Sequence, residues 1–341
     1  MRAFITGLAG TTLTTAERQF VQEAAPWGLI LFRRNVTTPD MLRRLIDEFR
    51  EAVGRQAPVL VDQEGGRVQR LGPPHWPAYP PGAAYGAVFD RDSEAGLRAA
   101  RLGGRLIASD LAQLGIDVDC APVADVPAAG ADPVIGDRAY GADPAKAAAL
   151  AGAFAAGLTE GGVLPVLKHL PGHGRATADS HQRLPVVTAD RATLDATDFA
   201  AFRPLCRLPL GMTAHVVFTA VDPVAPATTS ANIVKHVIRD SIGFTGLLMS
   251  DDISMGALSG SLSERSRAAI AAGCDVVLHC NGVLSEMVEV AAEAPALAGD
   301  AARRAAAALA ARKPPAPLDV AAGRAELATL LSDVRPEAGF A

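Results

Sequence analysis

Cysteine is scarce in this chain. Cys120, Cys206, Cys274 and Cys280 are the four cysteines in 341 residues and none forms a CxxC pair, which excludes a disulfide scaffold. Three of them, Cys120, Cys274 and Cys280, sit in apolar runs, where small buried thiols belong. Runs of basic residues are absent too. The formal net charge is −5, from 32 basic and 37 acidic side chains, so a partner with a phosphate backbone is not expected. No stretch approaches the roughly 20 uninterrupted apolar residues of a membrane span. After Arg2 only a brief apolar run precedes Gly7, with no small-residue cleavage site behind a proper hydrophobic region. A soluble, cytoplasmic, monomeric protein is the expectation. The dinucleotide signature is missing as well. Gly7-Leu8-Ala9-Gly10 does not make the G-x-G-x-x-G turn of a dinucleotide site, and no cofactor is expected.

What the chain has is apolar residues, 49% of the total against 20% charged, ample for a large core and opposed to disorder. They fall into eight strand-like runs, at 2–6, 27–32, 58–61, 116–124, 163–167, 212–218, 246–250 and 274–279. Between them lie helical periodicities, for example at 14–25, where Thr14 or Thr15 would cap, at 39–53, with Met41, Leu42, Leu45, Ile46 and Phe49 on one face, and at 93–114, 144–159, 196–206, 230–242 and 262–272. Near-continuous apolar strands imply burial on both faces, as in a parallel sheet. A length of 341 residues fits two average domains or one large barrel. Eight strand and helix units with no linker or shift in composition favour one (β/α)8 TIM-type barrel, slightly irregular if need be. The expected layout is a single catalytic domain over 1–341, with the barrel at about 1–290 and a C-terminal helical segment at about 284–335, broken by Pro314-Pro315.

The stretch 164–181, LPVLKHLPGHGRATADSH, is where chemistry concentrates. An apolar strand ends in Lys168-His169, a Pro-Gly-His-Gly turn follows, and Asp179-Ser180-His181 closes the loop. Histidines rarely come this close together without work to do. Gly172 and Gly174 cost backbone entropy unless the loop needs unusual dihedrals or room to move. In a barrel the catalytic groups gather where strands end. Those ends carry Asp62, Asp125, Lys168, His169, His215, Asp251, Asp252 and Asn281. A lone carboxylate there is as often a helix cap, and Asp125 or Asp252 fits that reading. Asp251 directly follows a buried run, an expensive place for a charge that is neither paired nor used. Metal catalysis on this barrel would normally draw on a His-x-His pair at the end of the first strand. The first run reads RAFITG and has none, so no metal site is expected.

Three motifs in order carry a resemblance. They are Val61-Asp62-Gln-Glu-Gly-Gly-Arg-Val, then Lys168-His169-Leu-Pro-Gly-His-Gly with Asp179-Ser180-His181, then Ser250-Asp251-Asp252-Ile-Ser-Met255. Together they resemble the family-3 glycoside hydrolases, and within them the single-domain bacterial β-N-acetylhexosaminidases that recycle cell-wall muropeptides. Larger family members carry a second domain that supplies an acid/base carboxylate. The resemblance, which spans about 2–290, therefore implies an acid/base drawn from the barrel itself. It assigns the nucleophile to Asp251, and the acid/base to His181 oriented by Asp179. Asp62, Arg70, Arg138, Lys168 and His169 would bind the sugar hydroxyls. It also implies a retaining exo-β-N-acetylglucosaminidase with a small carbohydrate substrate. This departs from the usual carboxylate pair, yet histidine as a residue type titrates near neutrality, where a general acid should. Other readings stay open: a phosphorylase or broader β-glycosidase on the same site, a metal-dependent hydrolase, and a non-catalytic sugar-binding barrel, which would have no use for Asp251 or the Asp179 and His181 pair.

Overall fold

A computed structural model describes residues 1–332 and residue 334. Eight strands form a closed, all-parallel barrel in which each strand lies beside the next in sequence and the last pairs with the first. They are β1 (Arg2–Thr6), β2 (Pro26–Leu31), β3 (Val59–Val61), β4 (Val118–Asp119), β5 (Leu164–Leu170), β6 (Leu210–Thr213), β7 (Leu247–Asp252) and β8 (Val276–His279).

The pleat explains why these runs are apolar throughout. Successive side chains alternate between the barrel interior and the helical shell. Ile5, Leu164, Val166, Leu247 and Met249 pack with Trp27 and Leu60 in an inner cluster, while Phe4, Leu167 and Leu248 join the larger outer cluster beneath the helices. The helix Gly299–Ala310 completes the inner cluster with Ala305 and Ala308. It closes the end of the barrel opposite the strands' C-termini. Two buried carboxylates brace that end: Asp275 takes Arg239 and Arg304 at 2.8 Å each, and Asp117 takes Arg50 at 2.6 Å together with Arg312.

Several helix starts follow side-chain chemistry visible in the sequence. Thr14 and Glu17 form a reciprocal capping box ahead of Thr15–Ala24, and Thr38 caps Pro39–Val53, whose first residue is proline. Other expectations need correction. The run at 116–124 pairs as a strand only over Val118–Asp119 and then as a single bridge at Val123, because Pro122 has no N–H to donate. The run at 212–218 is two strands: the ladder ends at Thr213, and Val217–Phe218 pairs instead with Val186–Val187 in a small separate sheet. The helix at 196–206 is replaced by Arg191–Ala196 and a short turn at Arg203–Leu205, which has Pro204 in its middle. Residues 233–241 form a wide helix of the i to i+5 type. A helix at Gly82–Arg91 was not signalled, since its glycines and alanines carry weak periodicity. The C-terminal segment forms helices Leu284–Glu293, Gly299–Ala310 and Val320–Leu330; residues 333 and 335 of the expected 284–335 lie outside the described residues.

Candidate active site

The C-terminal ends of the parallel strands share one rim, and a cavity of about 280 Å³ opens there. Asp62, Arg70, Arg138, Lys168, His169, Asp179, His181 and Asp251 all line it. The eight residues singled out from the sequence are thus brought together in one place. Of the other strand-end groups, Asp252 also faces this cavity, with His215, Asp125 and Asn281 outside its lining.

Charge in the cavity is arranged as linked ion pairs. Lys168 Nζ lies 3.0 Å from Asp62 Oδ1 and 2.6 Å from Glu64 Oε1. Arg70 donates to Asp62 Oδ2 at 2.8 Å, and Arg138 grips both oxygens of Glu64 at 2.8 Å each. Burial alone would push these carboxyls up, but the cations outweigh it. Glu64 is held at about 2 by Arg138 and Lys168, and Asp62 well below the usual carboxylate range by Lys168 and Arg70. Burial works against the charged ammonium of Lys168, yet Asp62 and Glu64 hold it above its ordinary range. An ammonium has three protons, and these two contacts use two of them.

Two histidines are set by Asp125. Its Oδ2 lies 2.6 Å from His169 Nδ1, and its Oδ1 accepts the His173 backbone N–H at 2.6 Å. Asp125 is therefore an orienting group, and His169 Nε2 is left on the side of Arg138, 3.5 Å from Nη2. His215 is committed elsewhere. Its Nδ1 meets Thr228 Oγ1 at 2.7 Å and its Nε2 the Asp252 carbonyl at 2.9 Å, which holds the end of β7. Asp252 spends its carboxylate on Ser254 N–H, Ser254 Oγ and Cys280 N–H. Its own N–H donates to Asp251 Oδ1 at 2.8 Å. Burial opposes charge on Asp251, but His215, His169, this N–H and Lys168 together hold it below the ordinary carboxylate range. A carboxylate kept ionised in the lining of a cavity has the charge that nucleophilic attack requires.

On the loop after β5, His181 Nδ1 lies 2.8 Å from Asp179 Oδ1, which also accepts the His181 backbone N–H at 2.9 Å. The His181 side chain is 66% exposed, so Nε2 is available to a ligand. The two glycines earlier in this loop have distinct reasons. Gly172 has φ +143°, and Gly174 passes so close to the loop after β4 that a Cβ would sit 2.2 Å from the Val126 carbonyl oxygen. Gly174 thus serves a close approach rather than freedom to move.

His173, of the Pro-Gly-His-Gly turn, also lines the cavity, as do Glu64 and Phe32, to which the sequence reading gave no role. Glu64 stands two residues after Asp62 just past the end of β3, and that i, i+2 spacing was the available signal. Phe32 has Arg34 and Arg70 over its ring at 4.9 and 5.2 Å, a pairing with no sequence signature.

Residues 7–307 match the profile of the glycosyl hydrolase family 3 N-terminal domain. The chain belongs to glycoside hydrolase family 3. This family-3 chain is 43% identical over 283 residues to a β-hexosaminidase of Alkalilimnicola ehrlichii, covering 81% of this chain and 79% of the relative. Its fold matches NagZ of Neisseria gonorrhoeae, crystallised with a zinc ion, at a TM-score of 0.84 and 32% identity over 97% of each chain. It also matches a family-3 β-N-acetylglucosaminidase of Paenibacillus sp. str. FPU-7 at a TM-score of 0.82 and 28% identity, covering 99% of this chain and 63% of that longer one. The family-3 barrel described above is an enzyme, a glycoside hydrolase.

Proposed function

We propose that this family-3 hydrolase, a β-N-acetylhexosaminidase, is a retaining exo-β-N-acetylglucosaminidase. It removes terminal N-acetylglucosamine from cell-wall muropeptide fragments of the GlcNAc-1,6-anhydro-MurNAc type, as a monomeric cytoplasmic enzyme of one barrel domain. The observation that carries the reading is that ionised Asp251 and the Asp179 and His181 pair line one cavity, with a histidine paired to a carboxylate on the loop after β5. The named relatives support the sugar class.

In this reading Asp62, Arg70, Arg138, Lys168 and His169 hold the sugar hydroxyls. Asp251 attacks the anomeric carbon as His181 Nε2 gives its proton to the departing oxygen, forming a glycosyl-aspartate. The neutral His181 then takes a proton from water, which attacks the anomeric carbon and restores the Asp251 carboxylate with net retention. Asp179 holds Nδ1 so that Nε2 faces the bond.

The family match and the hexosaminidase relatives favour hydrolysis over phosphorolysis. Among the described residues no three His, Cys, Asp or Glu side chains converge to hold a metal ion. A panel of chromogenic β-glycosides varied at the 2-position, assayed with and without phosphate and with a chelator, tests the proposal. Strong preference for the 2-acetamido sugar, with turnover indifferent to both additives, is expected. Preference for an unsubstituted 2-hydroxyl, or a requirement for phosphate or metal, would contradict it.

A further inference from the structure

We infer that His173 and Ser180 form a latch that positions the acid/base histidine, an inference that rests on the assignment of His181 as proton donor. His181 is mostly exposed, so packing of its own ring does not set where Nε2 points. Asp179 sets the orientation of the ring, and the backbone that carries the pair sets its place, with buried Ser180 between the two as its fixed point.

Ser180 is buried, 3% exposed, between two residues that face the cavity. Its Oγ lies 3.0 Å from His173 Nε2, across the seven-residue span of the loop. Its carbonyl accepts from Ala257 N–H at 3.1 Å, and the His181 carbonyl accepts from Gly256 N–H at 3.2 Å, which ties the same segment to the loop after β7. His173 is anchored in turn. Its backbone N–H donates to Asp125 at 2.6 Å, the carboxylate that also holds His169, and its ring meets His169 edge to face at 5.8 Å. One carboxylate at the barrel rim thus registers both the sugar-facing His169 and, through His173 and Ser180, the loop that carries Asp179 and His181. Burial, with His169 close by, keeps the His173 ring neutral, so it pairs with a hydroxyl without placing another cation beside the cavity.

His173 and Ser180 are positioning residues, acting through His181. Ser180→Ala removes one hydroxyl and little volume; Ser180→Thr keeps the hydroxyl; His173→Asn shortens the side chain so that it no longer reaches Ser180. Each is assayed beside His181→Ala on a disaccharide substrate and on a 2,4-dinitrophenyl glycoside of the same sugar, with thermal melting as a measure of folding. Loss of one such hydrogen bond is expected to lower kcat on the disaccharide by about tenfold, with KM and dinitrophenyl turnover within about twofold. Ser180→Thr should recover most of the loss, and His173→Asn should reproduce it. If His181→Ala shows leaving-group dependence and neither Ser180→Ala nor His173→Asn does, the latch is wrong and the acid/base assignment stands. An equal loss on both substrates in Ser180→Ala or His173→Asn, with or without a lower Tm, also overturns the latch. If His181→Ala itself loses equally on both substrates, the acid/base assignment falls and the latch with it.

Discussion

His181 does its work at one atom, Nε2, because Asp179 takes the other ring nitrogen. Removing the ring should therefore matter in proportion to how much protonation the leaving group needs. His181→Ala is expected to lose more than about a hundredfold in kcat on a disaccharide and far less on an activated aryl glycoside. Asp179→Ala should follow the same pattern more mildly, as orientation alone is lost. Steady-state kinetics on the two substrates check this, and parallel losses would make His181 a binding residue. Lys168 shows the opposite logic. It is 3% exposed and bonded to two carboxylates, so Lys168→Ala leaves two buried anions short of a partner and should cost stability as well as binding.

At the scale of elements, β5 and its loop carry a pH dependence of stability. Burial and the neighbouring His169 push the His173 ring down from 6.5 to about 4, against the pull of Asp125. The folded ring thus binds its proton less readily than the unfolded one, and stability is lost as pH falls from about 6.5 to about 4. The full effect is at most about 3 kcal/mol at 1.36 kcal/mol per pH unit. Glu64, held at about 2, adds a further loss at lower pH, from the ordinary carboxylate range downward. Tm measured between pH 7 and 4.5 should fall, with a shallower slope in His173→Asn; an unchanged slope would remove His173 as a source. The same element shows what sequence could and could not reveal. Lys168 and His169 were legible because polar residues at the end of an apolar strand have few structural reasons to be there, and Asp179 and His181 because they follow in the same histidine-rich loop. The role of Asp125 was not, because a carboxylate after a strand looks the same whether it caps a helix or orients two histidines 44 and 48 residues away. Strand edges at β4 and β6 were misplaced for a simpler reason. Apolar runs continue past the point where Pro122 interrupts one ladder and the chain leaves the barrel after Thr213, and hydropathy does not register which neighbour a strand pairs with.

At the scale of the molecule the two ends of the barrel divide the labour. The rim at the strands' C-termini concentrates paired charge around a cavity, and the opposite end is closed by Gly299–Ala310 and braced by Asp275 and Asp117. Arg304→Ala removes one of the two guanidinium groups on a carboxylate that is 4% exposed. It should cost about 2 kcal/mol and lower Tm by a few degrees, with kcat/KM unchanged; a changed kcat/KM with an unchanged Tm would show that this end communicates with the site. What joins the whole molecule to its proposed reaction is Asp251, ionised at the end of β7 and facing the same cavity as His181. The most direct test is to trap the intermediate with 5-fluoro-N-acetylglucosaminyl fluoride, whose ring fluorine slows the second step, and to locate the adduct by mass spectrometry of the peptides. The account predicts one sugar per chain, attached to Asp251, and no adduct in Asp251→Asn. Inactivation with the sugar on another residue, or steady turnover of the fluoride with no covalent species, would contradict it.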